Sequence, residues 1–232
     1  MPLFRSSKKA APASSSYQVA VVDQLLPSPE APLIKLDSQV KYKGKLMDVR
    51  VICNPNRDSH LVEQLSRGCA YISMSSPSPS GVKLMYGSHK LGHLAIRNNM
   101  YSAPEIDDLE NSRQSECTGP GQALVEFACR LAIANNHYEL KADSLEGSAA
   151  FYFKMGFRFP SDQSVNNQLL AEYMQKSQSK SGLGGEMLLN LRSYDYGIAE
   201  LNKMAYLLSR YLQSSAAENK DNKKINFFKF NP

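Results

Sequence analysis

Cysteine is sparse in this chain. Cys53, Cys69, Cys117 and Cys129 form no C-x-x-C pair, and their spacing fits neither a zinc site nor a disulfide framework. A reducing compartment is therefore expected, with a cytoplasmic location the simplest choice. Histidine is as scarce: His60, His89, His93 and His137 have no partners at metal-ligand spacing, so no metal is expected. No apolar run approaches the roughly 20 residues needed to span a bilayer. The opening MPLFRSSKKAAPASSSY has no apolar core of the kind a signal peptide carries. A soluble protein without a membrane span is the expectation. A G-x-S-x-G elbow is missing as well, which removes the usual setting of a serine nucleophile.

What is present suits one folded unit with loose ends. The chain has 232 residues, of which 42% are hydrophobic and 21% charged, enough to bury one substantial core. Its net charge of +5 gathers at the termini, on Arg5, Lys8 and Lys9 and then on Lys220, Lys223, Lys224 and Lys229. These basic ends lack interleaved base-stacking aromatics, so nucleic acid is not an expected partner, although the positive potential favours an anionic ligand. Residues 1–16, rich in Ser, Ala, Pro and Lys, read as a disordered tail; 17–213 as one domain; and 214–232 as a basic C-terminal tail.

Within the domain, β-prone runs occur at Gln18–Val22, Leu46–Cys53, Ala70–Ser75, Val82–Tyr86 and Leu91–Ile96. A short helix is expected around Ser59–Ser66 and turns at Pro77–Gly81. An acidic stretch, 98–116, reads as a long inserted connection holding Glu105, Asp107, Asp108 and Glu110. It is either a solvated loop or the wall of a pocket for a cationic acceptor, with Glu105 and Asp107 as the contacts. A second insertion, 160–185, contains a helical pattern at Val165–Met174 followed by a linker-like run, Gln175–Gly185, and suggests a lid. A strand at Glu186–Arg192 and a helix at Gly197–Gln213 with Ile198, Leu201, Ala205, Leu208 and Leu212 on one face close the domain.

The segment Cys117–Phe159 carries the chemistry. Gly119-Pro120-Gly121 is a tight turn feeding a helix whose apolar stripe is Leu124, Phe127, Ala128 and Leu131. Glycine there lets an anion approach the main chain, and a helix N-terminus directs free N–H groups at it, an arrangement suited to a pyrophosphate. Such a turn is also often no more than a bend or a cap. A strand at Tyr138–Ala142 follows, then a helix at Gly147–Met155 capped by Gly156.

These two signals together resemble the GNAT superfamily of N-acetyltransferases. The family's phosphate loop reads R/Q-x-x-G-x-G/A and its later helix N-x-x-A-x-x-F-Y-x-K-x-G-F. Here they read Glu116-Cys117-Thr118-Gly119-Pro120-Gly121 and Leu145 through Phe157, with the glycines, Phe151-Tyr152, Lys154 and Gly156-Phe157 in place. Glu116, Leu145 and Ser148 depart from the pattern, and Glu116 sets an acid where the family often has a donor. The resemblance implies an α/β (α+β) fold: a mixed, mostly antiparallel sheet flanked by helices, with a central strand splayed from its neighbour.

It further implies transfer of an acetyl group from acetyl-CoA to an amine, a small amine or a protein lysine, by direct attack through a tetrahedral intermediate. Cys117, Thr118, Gly119, Pro120, Gly121 and Gln122 would hold the coenzyme A phosphates. Tyr152 would return a proton to the leaving thiolate, or else only pack its helix on the sheet. His93 is a candidate base, with Glu105 or Asp107 acting through water as the others, or it is a satisfied strand residue. Cys117 at a helix N-terminus has the setting of an activated thiol, although its place beside the turn is explanation enough. The alternative to an enzyme is a catalytically inactive member of the fold that binds acyl-CoA or a protein. The insertions and tails leave room for a homodimer and for a bacterial effector exported to a host cell.

Overall fold

A computed structural model describes residues 34–52, 62–63, 68–73, 81–97, 103–175, 182–194 and 196. The expected strand Gln18–Val22, the turns at Pro77–Ser80, the helix Gly197–Gln213, both tails and most of the linker Gln175–Gly185 lie outside these residues. So does the helix around Ser59–Ser66, apart from the helical Val62 and Glu63.

The described residues form one mixed sheet of nine strands: β1 Ile34–Tyr42, β2 Lys45–Ile52, β3 Ala70–Ser73, β4 Val82–Tyr86, β5 His89–Arg97, β6 Glu105–Asn111, β7 Cys117–Thr118, β8 Glu139–Ser144 and β9 Gly185–Asn190. Their spatial order is β7, β1, β2, β3, β4, β5, β6, β8, β9. The β2/β3 and β6/β8 pairs are parallel, and the other neighbours are antiparallel. Helix α1, Pro120–Ala134, lies on one face, in contact with β1, β5, β6 and β8. Helices α2, Ala149–Lys154, and α3, Ser164–Gln175, follow β8.

Local sequence explains the frame. In β1, IKLDSQVKY alternates buried and exposed without a break, as a strand with one face on a core must. Lys43 and Gly44, at φ 48° and 83°, close the β1/β2 hairpin with two left-handed residues, the tight turn whose twist matches its strands. In α1, Leu124, Phe127, Ala128 and Leu131 are buried as their spacing requires.

One expectation is corrected. The run 98–116 is not a long loop, because it contains β6. An acidic sequence becomes a strand here since each acid of β6 meets a base of β5 across the pair: Lys90 bonds Glu110 at 2.8 Å, His93 bonds Asp108 at 3.0 Å, and Arg97 bonds Asp107 and faces Glu105 at 4.0 Å. Ile106 meanwhile turns into the core. The run at 91–96 is β5, and the strand that splays is the next one, β6.

Candidate functional site

Strands β6 and β8 pair only where Glu105 meets Lys141 and Ile106 meets Ala142. Beyond that point they part. The cause is visible in β6: Ala95 and Ile96 of β5 are opposite Asp108 and Ile106, so Asp107 is an extra residue, a β-bulge. A bulge bends its strand and re-aims the side chains that follow. From Asp107 to Asn111 the edge of β6 that faces β8 has no ladder partner among the described residues, while β8 goes on pairing with β9 as far as Ser144. The result is a wedge between two parallel strands.

After β6 the chain turns through residues 112–116 and enters β7, where Cys117 and Thr118 pair with Tyr42 and Lys41. Gly119 is the N-cap of α1, left-handed at φ 93°, and a Cβ there would stand 2.5 Å from the Gln39 carbonyl oxygen. No side chain caps the helix, and Pro120 at its first position has no N–H. Helix geometry leaves the N–H groups of Gly121 and Gln122 without intrahelical acceptors; the first such bond runs from Ala123 to Gly119 at 3.1 Å. Gly121 also lies against Phe151 of α2, whose Cζ would be 3.0 Å from an added Cβ.

Helix α2 is aimed by its C-terminal cap. The Phe157 N–H donates to Tyr152 O at 3.0 Å and the Gly156 N–H to Phe153 O at 3.0 Å, with Gly156 at φ 95°, a Schellman motif. The rings of Tyr152 and Phe157 meet edge to face at 5.3 Å, the apolar contact this motif usually carries. Tyr152 is 6% exposed. Burial, reinforced by the negative charge of Asp108, pushes its hydroxyl pKa up to about 12. It stays protonated throughout the neutral range, held near the acid on the bulged strand.

The structure thus joins His93 to Asp108, and the charge of Asp108 reaches the Tyr152 hydroxyl. Nδ1 of His93 is 3.0 Å from Asp108 Oδ2, and its buried Nε2 has no hydrogen-bond partner among the described residues. Glu105 and Asp107 lie on β6 itself, both beside Arg97. Thr118 and Gln122 are exposed at the start of α1, while Cys117 turns into the core at 2% exposure, where burial raises its thiol pKa against the weaker pull of Arg113. That is the reverse of an activated thiolate. Glu116 turns to two cations, Lys43 at 3.7 Å and Arg113 at 3.5 Å. Leu145 is 80% exposed.

Sequence reasoning noted Asp108 only as one acid in a cluster, because its pairing with His93 depends on the β5/β6 register. It missed Lys43 and Arg113 for the same reason: a hairpin and a loop meet there only in the fold. A depression of about 470 Å³ is lined by Gln122 and Glu126 of α1, Lys154 at the end of α2, and Asp37 and Ser38 of β1. Among the described residues no His, Cys, Asp and Glu side chains cluster as a metal site, and no helix is long and apolar enough to cross a membrane.

No protein-family model matches the sequence, and no curated protein sequence matches it either. Among solved structures, N-acetylglutamate synthase from Neisseria gonorrhoeae, complexed with coenzyme A and N-acetyl-glutamate, is similar at 18% identity and a TM-score of 0.36 over 48% of this chain. The match spans 25% of that protein's length.

Proposed function

We propose that the chain is an acyl-CoA-dependent N-acetyltransferase that moves an acetyl group from acetyl-CoA to an amine. The observation that carries this reading is the wedge: two parallel strands part at the Asp107 bulge, beside a buried, protonated Tyr152 and just ahead of the α1 N-terminus. A slender pantetheine arm fits between parting strands, and the unpaired edge of β6 offers main-chain N–H groups to a thioester carbonyl. The N–H groups of Gly121 and Gln122, with the helix dipole behind them, suit the pyrophosphate. Lys154, which lines the depression together with Gln122, is a cation for the nucleotide end.

When bound, acetyl-CoA supplies an electrophilic carbonyl carbon and a thiolate leaving group. The β6 edge stabilises negative charge on the carbonyl oxygen as the amine attacks, and the Tyr152 hydroxyl gives its proton to the departing sulfur. Tyr152→Phe should lower kcat by about 10²- to 10³-fold with little change in acetyl-CoA affinity.

Titration calorimetry with acetyl-CoA tests the reading, with Gln122→Glu as the control. That substitution suits a helix N-terminus and spares the fold, yet repels a phosphate. Saturable binding by the wild type, weakened at least about tenfold in the control, supports the reading; no binding at millimolar acetyl-CoA overturns it.

A second reading, a catalytically silent acyl-CoA or protein-binding module, is favoured by Glu116. Its carboxylate occupies Lys43 and Arg113, two cations close to the phosphate loop. Tight acetyl-CoA binding with no thiol release in the presence of amines would select it.

A further inference from the structure

We propose that Asp108 fixes His93 in the tautomer whose Nε2 is the base that takes the acceptor's proton. This inference rests on the transferase reading and deepens it. Asp108, as a carboxylate, can only accept, so the 3.0 Å contact requires the proton on Nδ1 and leaves the lone pair of the neutral ring on Nε2. That nitrogen is buried and meets no partner among the described residues. Such an atom costs free energy in a purely structural pair, since a buried acceptor is left unsatisfied. An incoming amine N–H would satisfy it.

The neighbours favour this assignment. The other acids of β6 meet Lys90 or Arg97, which only donate, whereas Asp108 meets the one β5 partner whose ring nitrogens can both donate and accept. Lys83 on β4 and Glu110 on β6 are the register partners of His93, Asp108 on β6 is its bonded neighbour, and the charge of Asp108 is felt by the Tyr152 hydroxyl of α2. The dyad and the tyrosine thereby serve opposite ends of one transfer. The amine N–H bond breaks with its proton passing to Nε2, the new N–C bond forms, the C–S bond breaks, and the thiolate takes the Tyr152 proton. Solvent then carries the proton from the imidazolium to the tyrosinate, which restores both groups.

Nitrogen-15 NMR of histidine in the free protein reads the tautomer directly. We expect protonated Nδ1 and bare Nε2 for His93 in the wild type, and a mixture in Asp108→Asn; protonated Nε2 in the wild type overturns the inference whatever the enzyme does. Thiol release from acetyl-CoA is then followed with butylamine, poly-L-lysine or water alone as acceptor. His93→Gln should lower kcat by about 10²-fold or more and remove the acidic limb of the kcat/KM profile. Asp108→Asn should lower kcat by about 10- to 100-fold and leave acetyl-CoA binding unchanged, as a positioning residue does. Calorimetry separates the two ideas: lost acetyl-CoA binding in the wild type defeats the transferase reading. Binding with no thiol release in any acceptor selects the silent module and so defeats both, whereas turnover with unchanged kinetics in His93→Gln defeats the base alone.

Discussion

Gly121 lies beneath the ring of Phe151, close enough that a Cβ would stand 3.0 Å from Cζ and 3.2 Å from Cε2. The contact locks the first turn of α1 to α2, and so ties the N–H groups at the α1 N-terminus to the helix that carries Tyr152. A glycine that the motif assigns to phosphate approach therefore also has a packing duty.

Gly121→Ala should accordingly destabilise the fold by about 1–2 kcal/mol, the cost of overpacking less the gain in helix propensity. Removing the ring edge in Gly121→Ala/Phe151→Leu should restore part of the loss. Denaturant unfolding of both single variants and the double variant measures the coupling; strictly additive effects would show that the two residues do not meet.

Gly119 is under a harder constraint, since it combines φ 93° with 2.5 Å from the backbone oxygen of Gln39, an atom that cannot swing away. Gly119→Ala should cost about 2–4 kcal/mol, more than Gly121→Ala, because β1 itself must shift. Comparing the two midpoints by thermal unfolding checks the order. A glycine kept only for a ligand would leave the free protein's stability nearly unchanged.

These contacts show where the sequence is readable. The helices α1 and α2, the strands β2 to β5, β8 and β9, and the Gly156 cap follow from periodicity and cap chemistry, which are local. β1 escaped notice although its alternation is complete, because Asp37, Ser38 and Gln39 in its middle dilute the apolar signal. The four acids in the seven residues of β6 read as a solvated loop, and only the bases of β5 make them a strand. Among site residues, Tyr152 and the glycines stand in a linear motif; the Asp107 bulge and the bond between His93 and Asp108 depend on register, which no single strand encodes.

Glu126 explains how the irregular middle of β1 is held. Lys35 is opposite Arg50 and Gln39 opposite Asp48, so β1 bulges between them. The carboxylate of Glu126 accepts the N–H groups released there, from Asp37 at 2.8 Å and Ser38 at 2.7 Å, and binds Arg130 Nε at 2.9 Å. Glu126→Ala should cost about 3–5 kcal/mol, because it strips the buried Arg130 of a counter-charge as well as leaving two donors unmet. Amide hydrogen exchange should accelerate at Asp37 and Ser38 first. Unchanged protection there would mean that the β1 bulge does not depend on α1.

Tyr152 gives a pH test with a definite sign. Its hydroxyl pKa lies at about 12 in the folded chain against 10.0 for the unhindered group. The folded state therefore keeps its proton where the unfolded state loses it, and the associated stability is complete below about pH 10 and falls as pH rises toward about 12. The loss amounts to about 3 kcal/mol when complete. In Tyr152→Phe this contribution vanishes, so its unfolding free energy should fall less steeply between pH 10 and 12 than that of the wild type, although other buried tyrosines share the window. For the proposed turnover, the same elevation keeps Tyr152 protonated at neutral pH, so it should produce no alkaline limb in kcat below about pH 10. Parallel stability curves for the two proteins across that window would mean that the Tyr152 hydroxyl is not desolvated, and would remove it as the buried proton donor beside the wedge.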